Sequence, residues 1–505
     1  MSAPASPLRL GPAAGLAALA AVAAQAGFPP FNLWGLALFC LAPLLVALRG
    51  QPLKRAFFIA WVYGFVHSVW GFRWLTGTIE RFGDLGVFPA FGLLVVLSAY
   101  HGCRMGLAGW AAGRAEANGW SHTLSFAAAF VATEVLFPLL FPWYLATSVH
   151  SAAPELLQVA ELGGPIAVGL LILAPSLAIG EGITALRKGV TIPWRLVTAG
   201  LLVPVVAAVY GRVRMAQVDL DIAAAPPVRL GLVQANRPMN DPTGYLDVLF
   251  QLTAEARTAG AELIVWSESA VQNAYPHLTY TTALPRDITG ALGVPTIFGV
   301  RMVRQPVPPE TAKERWNSVI IADATGTVLG RYDKHILLPF GEYTPLGDWL
   351  PALKKLLTHT GSITAGTTNE PLPFGDHRLL ALICYEDILP SYVNRAVVAV
   401  NPDLLVNVTN DSWFGDTAEP WIHLGEARLR AIEHRRYLVR ATNSGPSGVI
   451  DANGRDVVQS AVWARELVMT EARFMRSVTP YERWGEAPWL VVSGLAFAMA
   501  LLKRR

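Results

Sequence analysis

One cysteine of the chain stands where a predicted strand ends and a polar turn begins. Cys384 follows the apolar run 379–383 and precedes Tyr385, Glu386 and Asp387. A thiol in that place has a fixed backbone and an open face, which suits a nucleophile. A lone cysteine is also common as a small core residue. Because a thiol with a pKa of about 8.5 is only slightly ionised at neutral pH, a nucleophile needs a base or a cation nearby.

Two charged residues elsewhere have the chemistry that such a thiol needs. Glu268 follows the apolar run 263–266 and could accept the thiol proton. Lys334 lies in the sequence RYDKH and could stabilise a thiolate or an oxyanion. Each signal alone is weak, because a glutamate at a strand end is often a solvated turn residue and a single lysine is usually a surface charge.

The elements that would position these residues alternate between positions 213 and 478. Runs rich in β-branched residues predict strands at 228–233, 262–266, 296–300, 318–321, 379–383 and 404–408. Asp241 and Pro242 predict the start of a helix whose buried face carries Leu246, Leu249, Leu252 and Ala256. Strands that alternate with helices are typical of an α/β layered domain, which offers functional groups at its strand ends.

Composition indicates a membrane protein. Of 505 residues, 53% are hydrophobic and 15% are charged, whereas ordinary soluble domains are roughly 25% charged. Candidate spans lie at 11–27, 33–49, 56–76, 86–106, 122–145, 163–183, 194–211 and 489–502. We therefore predict a membrane domain of seven transmembrane helices over 1–212, a catalytic domain over 213–478, and a last transmembrane helix with a basic tail over 479–505.

The distribution of cations between the spans predicts the orientation, since Lys and Arg of short loops stay on the cytoplasmic side. The cations that alternate in this way are Arg49, Lys54, Arg55, Arg104, Arg114, Arg187, Lys188, Arg195, Lys503, Arg504 and Arg505. This pattern places the central domain outside the cytoplasm. Cys40 and Cys103 lie in apparent spans and leave Cys384 without a disulfide partner in its own domain.

Several other functions find no support in the sequence. The net charge of +3 and the lack of a basic run with aromatics argue against a nucleic-acid partner. Neither a metal-binding Cys/His spacing nor a phosphate-binding glycine loop is present, so we expect no metal and no cofactor. Glu134, His67 and Arg73 fall in or near spans, where a charge needs a partner or a lipid headgroup; helix packing and substrate binding both remain open.

The sequences around the three central residues resemble the nitrilase superfamily, whose catalytic set is Glu, Lys and Cys in that order. They read WSE at 266–268, YDK at 332–334, PFGEY at 339–343, CYE at 384–386 and TNDSWFG at 409–415. Together with the multi-span flanks, they resemble its apolipoprotein N-acyltransferase branch. The likeness extends to FPW at 141–143, RAIE at 430–433 and ATNSG at 441–445.

The resemblance implies a multi-span helical membrane domain joined to an extracytoplasmic α-β-β-α sandwich of the nitrilase type. Cys384 would take an acyl chain from a phospholipid as a thioester and pass it to the α-amine of a diacylglyceryl-cysteine on a lipoprotein, with Glu268 as base and Lys334 at the oxyanion. It further implies a multi-pass protein of the inner membrane, here expected to be a monomer, with its catalytic domain on the periplasmic side.

The resemblance also suggests supporting roles for five residues. Glu342 would support the Lys/Glu pair, although a turn carboxylate is an equal alternative. Tyr385 and Glu386 would shape the oxyanion pocket or the acceptor site, and Trp413 and Phe414 would cover an acyl chain, although loop aromatics are often core residues. Residues 339–341 and 411–420 are candidate mobile covers.

Two other functions remain as alternatives to acyl transfer between lipids and lipoproteins. The first is a membrane-tethered amidase or nitrile hydrolase with water as the acceptor. The second is a permease or sensor whose domain only binds a ligand, which would not need the set of Glu268, Lys334 and Cys384.

Overall fold

A computed structural model of the protein describes residues 6–83, 85–237, 244–307, 313–345, 347, 349 and 361–504. The chain divides into two compact units. The first comprises Met1–Ala216, Asp416–Gly425 and Arg483–Arg505, and the second comprises Gln217–Gly415 and Glu426–Glu482. These limits lie four residues from the predicted boundaries at 212 and 478. Residues 416–425, which we assigned to the catalytic domain, group with the first unit.

The first unit is helical. Its helices before the second unit are α1 (Leu10–Gln25), α2 (Trp34–Ala37), α3 (Ala42–Leu48), α4 (Leu53–Gly71), α5 (Trp74–Gly83), α6 (Val87–Ala117), α7 (His122–Leu136), α8 (Pro154–Leu157), α9 (Ala160–Lys188) and α10 (Trp194–Ala224), with a 3-10 turn at Leu145–Val149. By length and composition, α6, α9 and α10 can each cross a membrane. Shorter apolar helices cover Leu10–Gln25, Trp34–Leu48, His122–Leu136 and Ala487–Leu501. The chain is a membrane protein, and its total of eight spans stays a prediction.

Helix limits differ from the predicted spans where local chemistry overrides hydropathy. The helix expected over 122–145 ends at Leu136, because Pro138 and Pro142 follow and proline disfavours a continuing helix. The apolar segment 33–49 is interrupted between α2 and α3. Conversely, α10 continues past the predicted span 194–211 to Ala224. Charged residues lower the hydropathy of a segment, but they do not end a helix.

An ion pair inside the first unit answers one question that the sequence left open. Arg104 Nη1 on α6 lies 2.8 Å from Glu134 Oε2 on α7, and their side chains are only 11% and 4% exposed. His67 on α4 accepts a hydrogen bond at its Nδ1 from Gln25 Nε2 at 3.0 Å. Arg73 donates to the Trp70 carbonyl near the surface. Glu134 therefore has the partner that a charge among apolar helices requires, and this partner joins two helices.

The second unit contains two β-sheets and the helices that flank them. Its strands are β1 (Pro227–Gln234), β2 (Leu263–Trp266), β3 (Val271–Pro276), β4 (Thr296–Arg304), β5 (Glu314–Ala322), β6 (Val328–Asp333), β7 (Leu372–Phe374), β8 (His377–Ile383), β9 (Leu404–Thr409), β10 (Leu438–Thr442), β11 (Gly448–Ile450), β12 (Asp456–Gln459) and β13 (Glu466–Arg473). Its helices are α11 (Tyr245–Thr258), α12 (Tyr280–Asp287), α13 (Pro390–Val400) and α14 (Glu419–His434). The first residues of α14 belong to the first unit. Two further helices follow, α15 (Pro480–Trp484) and α16 (Ala487–Leu501).

One sheet has the strand order β13-β1-β2-β4-β5-β6, with β3 also paired to β4, and the other has the order β12-β11-β10-β9-β8-β7. All six predicted strands are present. The predicted helix start at 241–242 lies outside the described residues. Helix α11 buries Leu249, Leu252 and Ala256 as expected, whereas Leu246 is only partly buried. These side chains pack on the first sheet, in a core that includes Trp266 and Phe298.

Strand directions bring several chain segments to one edge of the first sheet. Strands β2 and β4 are parallel, whereas β5 is antiparallel to both β4 and β6. The carboxyl ends of β2 and β6 therefore point the same way. Glu268 follows β2 and Lys334 follows β6, so the sheet places both beside the first residues of β5.

Candidate active site

Cys384 lies at the junction between a buried strand and a tight turn. It follows β8 directly, opens the 3-10 turn Cys384–Ile388 and is 7% exposed. Its φ of 50° is in the left-handed region, which is uncommon for a residue other than glycine. The parallel register pairs Ile383 with Val408, so Thr409 at the end of β9 stands next to the thiol.

Glu268 is buried and its two oxygens differ in their contacts. Oε1 accepts a hydrogen bond from Asn317 Nδ2 at 2.7 Å, whereas Oε2 is buried without a hydrogen-bond partner among the described residues. Burial raises the pKa of this carboxyl group, and the nearby Lys334 ammonium opposes the rise in part. A carboxylate with one free oxygen and a raised pKa is suited to accept a proton.

Lys334 is buried between two carboxylates. It is 1% exposed; its Nζ donates to Glu342 Oε1 at 3.0 Å and lies 3.9 Å from Glu268 Oε1. Burial alone would lower the pKa of Lys334, but Glu342 and then Cys384 and Glu268 raise it above its ordinary value. Lys334 is therefore a permanent cation in this site.

The thiol of Cys384 is protonated at rest. Burial raises its pKa well above the ordinary value, and the charge of Glu268 raises it further. The Lys334 ammonium and the Thr409 hydroxyl act in the opposite direction. Since the thiol has no standing negative charge, it can attack a carbonyl only if a base takes its proton during the attack. Glu268 is the buried carboxylate placed to act as that base, and Lys334 is the buried cation beside it; both roles stay predictions.

Glu342 makes contacts that fit both of the alternatives considered from the sequence. Its Oε2 accepts the Leu338 backbone N–H at 2.8 Å, as a turn carboxylate does. Its Oε1 accepts hydrogen bonds from Lys334 and, at 3.3 Å, from Asn317. One carboxylate thus fixes the turn after β6 and the position of the ammonium.

Glu386 is fully buried, and most of its hydrogen bonds come from backbone N–H groups. Oε1 accepts the N–H groups of His335 and Ile336, and Oε2 accepts the Ile383 N–H and the Tyr332 hydroxyl. The residues after Lys334 are thereby joined to the residue before Cys384. Burial raises the pKa of Glu386 to about 7. Neighbouring Tyr385 is 8% exposed, and the oxyanion and acceptor roles of both residues stay predictions.

Trp413 and Phe414 are half-buried at the end of the turn Asp411–Trp413. That turn is held by Arg440 of β10, which is fully buried. Arg440 lies 2.9 Å from Asp387 Oδ2 and 3.2 Å from Asp411 Oδ2. One guanidinium therefore links the turn that follows Cys384 to the turn that carries the two aromatic residues.

Three residues of the site were missed from the sequence. Asn317 directly precedes a predicted strand, Arg440 places a charge in the run YLVRAT, and Thr409 directly follows a predicted strand. A polar or charged residue inside or next to an apolar strand was the available signal, because burial requires that such a group find a partner.

The chain resembles known proteins along nearly its whole length. The profile of the apolipoprotein N-acyltransferase N-terminal domain matches residues 20–178, and that of the carbon-nitrogen hydrolase family matches residues 229–477. An apolipoprotein N-acyltransferase from Methylococcus capsulatus is 30% identical over 95% of this chain and 94% of its own. This chain belongs to the apolipoprotein N-acyltransferase family.

Two further members of the family match over similar lengths. The protein from Azotobacter vinelandii is 31% identical over 96% of this chain and 95% of its own, and that from Geobacter metallireducens is 29% identical over 97% and 95%. The fold expected from the sequence, a helical membrane part joined to a nitrilase-like layered domain, is confirmed. The roles of the individual site residues stay predictions.

Proposed function

We propose that this chain transfers an acyl chain from a membrane phospholipid to the α-amine of the N-terminal diacylglyceryl-cysteine of a lipoprotein, through a thioester on Cys384. The proposal depends on one observation above all: a buried thiol, a carboxylate with a free oxygen and a permanent cation act on one another in one site. Membership of the apolipoprotein N-acyltransferase family supports the choice of substrates.

In the first half-reaction, Cys384 Sγ attacks the ester carbonyl of the phospholipid while Glu268 Oε2 takes the thiol proton. Lys334 Nζ stabilises the oxyanion of the tetrahedral intermediate. When the intermediate collapses, the C–O bond breaks and Glu268 returns its proton to the leaving alkoxide. The products are a lysophospholipid and the acylated thiol.

In the second half-reaction, the neutral α-amine attacks the thioester carbonyl. An α-amine has a pKa of about 7.7–8.0, so a useful fraction is neutral at physiological pH. Glu268 takes one proton from the attacking nitrogen, the C–S bond breaks, and the proton passes to the departing sulfur. The amide that forms is more stable than the thioester, which drives the transfer.

Water competes with the amine for the thioester. An acceptor held in attack geometry has an effective concentration of roughly 10⁵ M or more, which outruns bulk water in a dry site. Cys384, Glu268 and Lys334 are each less than a tenth exposed. Trp413 and Phe414 are proposed to cover the acyl chain, and Tyr385 to border the acceptor site.

The membrane location serves the same reaction. The phospholipid donor and the lipidated acceptor are both confined to the membrane. An enzyme held there by apolar helices meets them by lateral diffusion. The alternation of cations between eight proposed spans supports a multi-pass protein of the inner membrane, with the second unit on the periplasmic side. We propose that it acts as a monomer.

The direct test is to incubate the purified protein with a phospholipid that carries a labelled acyl chain and to search for the acyl mass on the Cys384 peptide. The Cys384→Ala variant must lose this adduct, and the peptides of Cys40 and Cys103 are internal controls. A diacylated lipopeptide should discharge the adduct as an N-acyl peptide. Release only as free fatty acid would favour a hydrolase, and no adduct at all would overturn the proposal.

A further inference from the structure

Asn317 touches both carboxylates that surround Lys334. It lies on β5 and is 7% exposed. Its Nδ2 donates to Glu268 Oε1 at 2.7 Å and to Glu342 Oε1 at 3.3 Å. The main-chain carbonyl oxygen of Asn317 accepts a hydrogen bond from the Lys334 backbone N–H at 2.9 Å. A single residue therefore contacts the base, the second carboxylate and the backbone of the cation.

Electrostatics fix the orientation of this side chain. The oxygen and nitrogen of an asparagine amide are almost identical in shape, so their assignment depends on the hydrogen-bond network. The opposite orientation would direct Asn317 Oδ1 at two carboxylate oxygens. In the observed orientation, Oδ1 is buried without a partner among the described residues. An unsatisfied buried acceptor is unfavourable, so fold stability alone does not account for an asparagine here.

The contact makes the two oxygens of Glu268 unequal. Oε1 is occupied by Asn317 and faces Lys334, whereas Oε2 has no partner among the residues described. A proton that arrives at this carboxylate therefore goes to Oε2. The ammonium of Lys334 is meanwhile 1.0 Å nearer to Glu342, at 2.9 Å, than to Glu268, at 3.9 Å.

We propose that Asn317 is a positioning residue, which holds Glu268 Oε1 and thereby presents Oε2 to the thiol of Cys384. Without the amide, Glu268 would lose the hydrogen bond that fixes Oε1, and the carboxylate could rotate so that Oε2 no longer faces the thiol. The catalytic use of this arrangement depends on the proposed function, but the thiol-to-Glu268 proton transfer needs no particular substrate.

The inference has a signature in pH dependence. The charged or titratable groups that act on Glu268 are Lys334, Glu342 and Cys384, and the Asn317 hydrogen bond lowers the pKa of Glu268. Removal of that donor raises this pKa. Glu268 is then protonated up to a higher pH. The acid limb of the pH profile, which is the range where thiol reactivity falls as the pH is lowered, therefore moves to higher pH.

The first experiment measures alkylation of Cys384 by iodoacetamide between pH 5 and 9 in the full-length protein in detergent, with the Cys384 peptide quantified by mass spectrometry. Asn317→Leu keeps the approximate shape and removes the donor. We expect its acid limb to move up by about one pH unit, since a charge-assisted hydrogen bond is lost, and its rate at a fixed pH on that limb to fall by up to about tenfold. Asn317→Asp adds an anion and should shift the limb further.

Asn394→Leu is the matched control, because Asn394 on α13 is 8% exposed and of the same residue type. Its acid limb should stay at the wild-type position. If Asn317→Leu does not fold, Asn317→Asp decides the question with the same readout. A slower rate with an unshifted acid limb in the Asn317 variant that folds would show a merely structural role and overturn the inference.

The second experiment measures thioester formation from a labelled phospholipid. Asn317→Leu should lower kcat about tenfold or more and leave KM for the phospholipid unchanged, because the amide contacts the base and not the donor. If the wild-type protein forms no thioester, the proposed function fails while the alkylation test still judges Asn317. A change in KM alone would contradict a positioning role.

Discussion

Lys334 Nζ is hydrogen-bonded to Glu342 at 3.0 Å and lies 3.9 Å from Glu268. The buried ammonium therefore belongs mainly to the carboxylate that is not the proposed base. This arrangement keeps the cation charged without neutralising Glu268, and it makes the stability and the reactivity of the site separable by mutation.

Lys334→Met should abolish the acyl adduct on Cys384 and destabilise the second unit. The substitution leaves Glu268 and Glu342 buried near each other without a cation, and breaking such a buried ion pair costs about 3–5 kcal/mol. Thermal unfolding and the mass of the Cys384 peptide measure the two effects. Lys334→Arg keeps the charge but not the point-like geometry, so it should retain more stability than Met and still form little adduct. Wild-type acylation in the Met variant would exclude the oxyanion role.

Glu386→Gln should lower the melting temperature although it removes a buried charge. Four donors face this carboxylate: the N–H groups of His335, Ile336 and Ile383, and the Tyr332 hydroxyl. The amide nitrogen of glutamine cannot accept them, so at least one buried N–H loses its partner at a cost of about 1–3 kcal/mol. Glu262→Gln, at a surface site that is 51% exposed, is the control. An unchanged melting temperature would contradict the bridging role.

The penalty of Glu386→Gln should also depend on pH. The pKa of Glu386 rises from its ordinary 4.5 to about 7 in the fold, so the native state binds the proton more tightly than the unfolded state. The resulting stabilisation is complete below about pH 4.5 and is lost as the pH rises through about 7. The stability gap between wild type and the Gln variant should therefore narrow between pH 5 and pH 8, and a gap that widens would contradict this sign.

Arg440→Met should destabilise the second unit by about 3–5 kcal/mol, because Asp387 and Asp411 would both be left buried without their cation. Limited proteolysis should then cut near the turn Asp411–Trp413 more readily. Arg286→Met removes a surface pair with Asp287 and should leave thermal unfolding unchanged. Equal behaviour of the two variants would show that Arg440 does not hold the turns.

The pair of Arg104 and Glu134 should behave as a coupled unit within the helical part. Either single alanine variant leaves one charge among apolar helices, which costs about 2.5–3.5 kcal/mol on insertion scales. The double variant should lose less than the sum of the two, and thermal unfolding in detergent gives the coupling energy. Strict additivity would mean that the 2.8 Å contact carries no energy.

Orientation can be tested with two engineered cysteines in a background that carries Cys40→Ala, Cys103→Ala and Cys384→Ala. Leu278 is 81% exposed in the second unit, so Leu278→Cys should react with a membrane-impermeant maleimide in intact spheroplasts. Arg504→Cys, in the basic tail, should react only after permeabilisation. The reverse pattern would place the second unit in the cytoplasm and contradict the proposed localisation.

The sequence was most informative where one residue determined the outcome. Polar residues just after a continuous apolar strand lie at the edge of a sheet, so the positions of Glu268 and Cys384 in the fold could be predicted, whereas their choice as site residues came from the resemblance to the nitrilase superfamily. Hydropathy located the apolar helices but not their ends. Helix α10 continues past residue 211 to Ala224, because hydropathy reports the surroundings of a helix and not its hydrogen bonding.

Contacts that depend on strand register could not be predicted. Asn317 reaches Glu268 only because β5 runs antiparallel between β4 and β6, and nothing local in the sequence specifies that pairing. The same holds for Arg440, whose two partners are 53 and 29 residues away along the chain. A buried charge in a strand indicates that a partner exists, but it does not identify that partner.

The left-handed backbone at Cys384 determines which substitutions at this position can relax the main chain. Any replacement that keeps a β-carbon, including serine and alanine, retains the conformational penalty of the turn while discarding the sulfur for which it was tolerated. Glycine alone would relax the main chain, by about 1–2 kcal/mol. The replacement that relaxes this turn is therefore also one that removes the thiol we propose as the nucleophile.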